Sequence, residues 1–150
     1  MRALLQRVKE ASVHFQHEPP RSIGPGLLIL LGIESSDNRE DVEWLVGKIS
    51  QIRIFADEEG KMNLDIRQSN GSILVISQFT LHASTRKGNR PSFIRAARPE
   101  QAVPLYEYFI EEIQRAAACT VICGIFGADM QVRLQNDGPV TLMIDSQNRE

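Results

Sequence analysis

Cysteine is nearly absent from this sequence, which holds only Cys119 and Cys123, and aromatic residues make up 6% of it. A lone C-x3-C without a second ligand pair is not a zinc pattern, and two thiols make no disulfide framework. The intervening Val121 and Ile122 instead suggest a strand with both thiols on one face, where they behave as small apolar groups. Long hydrophobic runs are also missing. The longest, Gly26 to Ile33, falls far short of the roughly 20 residues that a membrane-spanning helix needs. The N-terminus alternates apolar and charged residues, unlike a signal segment, so a cytoplasmic protein with no membrane association is expected. Nor is there an excess of positive charge. A net charge of −2 excludes a general polyanion binder, and an RNA partner would have to meet a local patch. The best patch is the acid-free stretch that carries Arg86, Lys87, Arg90, Arg95 and Arg98, although such a stretch by itself is more often a solvated loop than an RNA contact.

What remains is a hydrophobic fraction of 42% in 150 residues, which fits one domain over 1–150. A chain of this size buries roughly 70% of the surface exposed by its unfolded form. Ala3, Leu5, Val8, Val13 and Phe15 predict extended chain, and the two prolines between Gln16 and Ser22 mark a connection. Ile23 to Ile33 opens on Gly24-Pro25-Gly26 and becomes continuously apolar, as a strand covered on both faces does. Asp37 and Glu40 are spaced as a variant capping box before Val42, Leu45, Val46, Ile49 and Ile52 at helical spacing. Arg53 to Phe55 reads as extended, Asp57 to Gly60 as a turn, and Ser72 to Phe79 as a second apolar strand. Ala102, Leu105, Tyr106, Phe109, Ile113 and Ala117 mark the clearest helix, with Pro99 suited to its first turn. Pro104 implies either a later start or distorted first turns. Three extended runs follow, Cys119 to Phe126, Ala128 to Leu134 and Val140 to Ile144. The expected class is α+β, with a mostly antiparallel, barrel-like sheet and two main helices.

Two segments differ from ordinary core or loop. In Ser77-Gln78-Phe79-Thr80-Leu81, polar residues follow an apolar strand, so a rigid strand end can aim backbone N–H groups at a substrate carbonyl. A nucleophilic hydroxyl there would need a base, yet no G-x-S-x-G elbow is present and only His82 is near in sequence. His82 itself reads as a surface or half-buried loop histidine, and Ser77 and Thr80 read equally well as hydroxyls closing a turn. The second segment, Asn136-Asp137-Gly138-Pro139-Val140-Thr141, reads as a turn between two strands. Its Gly-Pro bond is also one that adopts the cis form at modest cost, which would fix two successive carbonyl oxygens.

These two segments resemble, in order and separation, the two signature motifs of the D-aminoacyl-tRNA deacylase family. The resemblance extends to Gln6-Arg7-Val8, Ile23 to Leu28, Gly60 to Leu64, Lys87 to Phe93 and Phe126 to Met130, and so spans nearly the whole chain. It implies a homodimer, without metal or cofactor, that hydrolyses the ester joining a D-amino acid or glycine to the 3'-terminal adenosine of tRNA. It also implies a cis Gly138-Pro139 bond that enters the partner's site and faces Ser77, Gln78, Phe79 and Thr80. Arg7 would help to hold that element, Asn136, Thr141 and Met130 would join Gly138 and Pro139 in setting substrate selectivity, with Met130 near the pocket, and Arg86, Lys87 and Arg90 would contact tRNA. Two fixed carbonyls at the position of an L side chain reject one hand by clash and desolvation while admitting glycine. Gln16 to Pro20, Ser84 and Ile125 depart from the family's usual residues. Three rival readings stay open: an editor of mischarged L-aminoacyl-tRNA, a small serine esterase, and a non-catalytic RNA-binding module.

Overall fold

A computed structural model describes residues 1–149. Its central element is β1 (Arg2–His14), a 13-residue strand that carries neighbours along both edges. One edge pairs antiparallel with β3 (Gly26–Gly32) and, further along, with β2 (Arg21–Ile23). Ile23 thus belongs to β2, and Gly24-Pro25 separates it from the apolar run that sequence spacing had assigned to a single strand. The other edge of β1 pairs along its length with β8 (Gln131–Asp145). Beyond β3, the strands β6 (Ser72–Ser77) and β7 (Val121–Cys123) are added in parallel, so the sheet is mixed. A small β4–β5 pair (Phe55–Ala56, Met62–Leu64) lies outside it. The sheet curls toward closure: Arg21 of β2 donates to the Cys123 carbonyl of β7 at 2.7 Å.

Parallel pairing explains the apolar runs, because strands in that position are covered on both faces. Leu27, Ile29, Leu31, Ile73 and Val75 share one buried core with Leu45 and Ile49 of α1 (Arg39–Gln51) and with Phe109 and Ile113 of α2 (Pro99–Ala117). Leu28, Leu74 and Ile76 pack on the opposite face against Val8, Val13 and Ile23. The strand period of two thus serves two cores from a single run of residues.

The cap of α1 lies one residue later than the sequence spacing suggested. Asn38 accepts from the Glu40 N–H, and Asp41 reaches back to the Asn38 N–H, completing a capping box. Asp37 is buried and otherwise engaged, with its carboxylate accepting from the Met1 ammonium and from the Glu34 N–H at 2.7 Å. In α2 the helix begins at Pro99 and runs through Pro104, which is exposed, so the backbone bond it removes lies on the solvent side. Cys119 and Cys123 are half-buried, Cys119 lies outside β7, and burial pushes the Cys119 thiol up.

Candidate active site

The polar end of β6 is where the candidate site begins. The strand stops at Ser77, shorter than the expected reach to Phe79, and a 3-10 turn follows at Phe79–His82. Gln78 anchors the change of direction, since its N–H donates to Leu31 O of the neighbouring strand at 2.8 Å. Within the turn the first bond runs from the Leu81 N–H to Gln78 O at 3.3 Å. The N–H groups of Phe79 and Thr80 precede it, and helix geometry gives them no partner inside the turn. Gly32 makes the close seat possible: a Cβ there would lie 3.0 Å from Gln78 O and 3.1 Å from the His82 ring.

A cleft of about 300 Å³ opens beside this turn. Ser77, Gln78 and Phe79 form one wall, and Phe126 to Met130, the segment leading into β8, forms the other. Ile76 lies between them. Met130 folds down over Gly124, where an added Cβ would come within 2.6 Å of its sulfur. Phe79 is exposed and packs edge-on against Phe93, with ring centroids 5.1 Å apart. Thr80 is not among the lining residues, and its hydroxyl accepts from the Gln78 side-chain amide. Among the described residues no histidine hydrogen-bonds to Ser77 or Thr80. His82, read from sequence as a surface or half-buried loop residue, is 1% exposed. Burial holds its imidazole below the usual histidine range, against the opposing pull of the Gly32 backbone and the Glu34 carboxylate.

The second segment is not the hairpin turn that its Asn-Asp-Gly-Pro suggests. Both halves of β8 pair with β1, and the ladder passes from Val8↔Asn136 to Gln6↔Thr141. Residues 137–140 are therefore extruded from a continuous strand, opposite Arg7. Side chains tie this loop down from both ends. The Val140 N–H donates to Asn136 Oδ1 at 2.8 Å, while Asn136 Nδ2 lies 3.0 Å from Gln6 Oε1 and 3.1 Å from both Val140 O and Thr141 Oγ1. Arg7 Nε donates to Asp137 O at 2.9 Å, and the same guanidinium donates to Ile54 O. The Gly138-Pro139 bond is cis, and both residues are exposed. Neither is among the residues lining the cleft of their own chain.

Arg86, Lys87 and Arg90 lie together on an exposed loop between Ser84 and Ser92, which bridge its base by backbone bonds of 2.8 and 2.9 Å. Arg95, from the same basic stretch, is committed to an ion pair with Glu34. The structure thus joins Ser77, Gln78, Phe79 and Met130 around one cleft and gathers Arg7, Asn136 and Thr141 around Gly138-Pro139. Sequence reasoning missed Gly124, Ala128 and Gly32 as shapers of the cleft and its turn, because a small residue advertises no chemistry.

The family model for D-Tyr-tRNA(Tyr) deacylase matches residues 4–145. The chain belongs to this family. A relative from Akkermansia muciniphila, named D-aminoacyl-tRNA deacylase, is 60% identical over 100% of both chains. One from Cytophaga hutchinsonii with the same name is 58% identical over the same span. Among solved structures, a chain named c-Myc DNA Unwinding Element Binding Protein superposes with a TM-score of 0.90 at 40% identity, covering 97% of this chain and 98% of that one. A probable eukaryotic D-amino acid tRNA deacylase has a TM-score of 0.80 at 19% identity, covering 95% and 97%, and likeness at that identity speaks to the fold alone.

Proposed function

We propose that this deacylase hydrolyses the ester of D-aminoacyl-tRNA, and of glycyl-tRNA, and spares L-aminoacyl-tRNA. The observation that carries the substrate class is the full-length likeness to relatives named D-aminoacyl-tRNA deacylase. An aminoacyl ester is already activated relative to an amide, so the protein has mainly to position it and stabilise the oxyanion. The Phe79 and Thr80 N–H groups are the candidate donors, and a single donor of this kind typically contributes about 3–4 kcal/mol to the transition state. Side-chain nucleophiles are not needed, and neither is a metal or cofactor. That no histidine among the described residues bonds the Ser77 or Thr80 hydroxyl favours this reading over a serine esterase.

The chiral wall is assigned to Gly138 and Pro139. Their loop is pinned by Asn136, Thr141 and Arg7, leaves the β1–β8 ladder, and its exposed tip does not line its own cleft. A tip so placed can serve a site by entering that of a second copy, which supports a homodimer as the working unit. Arg86, Lys87 and Arg90 supply the local positive charge that an acceptor end would meet. The test is a comparison of D-tyrosyl-, glycyl- and L-tyrosyl-tRNA. Hydrolysis of the first two with L-tyrosyl-tRNA spared is expected. Preferential L-tyrosyl hydrolysis would sink the assignment, and equal binding of charged and uncharged tRNA without turnover would mark an RNA-binding module.

A further inference from the structure

The basic loop and the 3-10 turn share one buried anchor. Glu34 follows β3, is 4% exposed and forms a backbone bridge with Ala96. Its Oε2 accepts two bonds from Arg95, from Nε at 3.0 Å and from Nη2 at 2.6 Å. Main-chain bonds fix the same junction, from the Ser35 N–H to Arg95 O at 3.0 Å and from the Ala97 N–H to Ile33 O at 2.9 Å. Among the described residues its other oxygen, Oε1, is buried without a hydrogen-bond partner, and so are both ring nitrogens of His82. His82 ends the 3-10 turn, packs its ring edge on Gly32 and feels the Glu34 carboxylate electrostatically. Buried polar atoms are rarely left unpaired, so a carboxylate oxygen two residues beyond Gly32 and an imidazole packed on Gly32 are candidates to share one buried water. His82 and Arg95 are the two residues that flank segment 83–94, which carries Arg86, Lys87 and Arg90.

We propose that Glu34 is a positioning residue that clamps both feet of this loop, Arg95 through one carboxylate oxygen and His82 through the other across one bridging water. By holding His82, the clamp sets the 3-10 turn and with it the Phe79 and Thr80 N–H groups. By holding Arg95, it sets the cationic loop. Neither Glu34 nor His82 lines the cleft, so the effect is indirect. This inference rests on the reading that turn and loop serve aminoacyl-tRNA.

The test uses full-length Glu34→Gln, His82→Gln and Arg95→Gln with two substrates, D-tyrosyl-tRNA and the D-tyrosyl ester of adenosine, which carries no phosphate for the basic loop. Glu34→Gln is expected to lower kcat about tenfold on both substrates and to raise KM only on the tRNA. His82→Gln lowers kcat on both, and Arg95→Gln acts mainly on KM for the tRNA. The Glu34→Gln, His82→Gln double variant should be no slower than the worse single one, because the two groups act as a pair. Additive losses, or variants that lose only thermal stability while both kinetic constants stay at wild type, would overturn the clamp. Amide exchange separates this from the functional reading. Should the wild type hydrolyse neither ester, that reading fails, yet Glu34→Gln must still speed exchange at Leu81, Ala83 and Ala97 about tenfold with both helices unchanged. Unchanged exchange there would overturn the clamp by itself.

Discussion

Replacing Asn136 by alanine removes the residue that closes the extruded loop on itself without touching the cleft. The side chain takes the Val140 N–H at 2.8 Å and has two amide protons for the acceptors Gln6 Oε1, Val140 O and Thr141 Oγ1, at 3.0 to 3.1 Å. Three bonds can therefore form at once. At about 1 kcal/mol net for each, and with water replacing some of them at this half-buried position, the loop loses about 2–3 kcal/mol of positional restraint. If that restraint is what holds the wall in place, rejection of L-aminoacyl-tRNA weakens by about 30- to 150-fold, at 1.4 kcal/mol per tenfold. The assay is the ratio of kcat/KM for D-tyrosyl- to L-tyrosyl-tRNA, measured on a variant whose far-ultraviolet circular dichroism and assembly state match wild type. A loss in the ratio with D-tyrosyl turnover within severalfold of wild type is expected. An unchanged ratio with D-tyrosyl turnover abolished would refute the reasoning, because Asn136 would then serve catalysis and not exclusion.

Gly138→Ala should act in the same direction, because an added Cβ would lie 2.8 Å from Val140 Cγ2 at a backbone φ of +142°; L-tyrosyl-tRNA hydrolysis is expected to rise before D-tyrosyl hydrolysis falls. Ser77→Ala and Thr80→Ala should each retain deacylation above background, and complete loss in both with tRNA still bound would point to a nucleophile. Folding stability should fall as pH drops below about 6.5, the unfolded value for His82, since burial lowers its folded value and the unfolded chain then binds the extra proton. Urea titrations across that range should show the slope, and His82→Gln should reduce it. Mixed dimers pairing a chain altered at Gly138 with a chain altered at Phe79 should keep one wild-type site, and a stable, fully active monomer by light scattering would contradict the trans arrangement.

The helices were readable because Leu45, Ile49, Phe109 and Ile113 recur at helical spacing, and Gly60 marked its turn correctly with a φ of +78°. The parallel pairing of β3 with β6 is not readable from sequence. Leu27 to Leu31 and Ile73 to Ile76 show burial on both faces, which limits where a strand lies without saying which neighbour runs alongside it. The misreading of Asn136 to Thr141 has a definite cause: Asn-Asp-Gly-Pro carries every local mark of a hairpin turn, and only pairing with β1 reveals one strand continuing past the loop. His82 reads from sequence as a surface or half-buried loop residue because Gly32, on which its ring packs, is distant in sequence. The two motifs mark segments that line the candidate cleft and form the extruded loop, whereas Gly124 and Gly32 shape the cleft by what they lack.

The most direct test of chiral proofreading is a competition in one reaction, with D-tyrosyl-tRNA and L-tyrosyl-tRNA carrying different labels on the amino acid. The account predicts release of the D-tyrosyl label while the L-tyrosyl label stays on tRNA at its spontaneous rate. Release of both labels at comparable enzyme-dependent rates, or of the L label first, would contradict it.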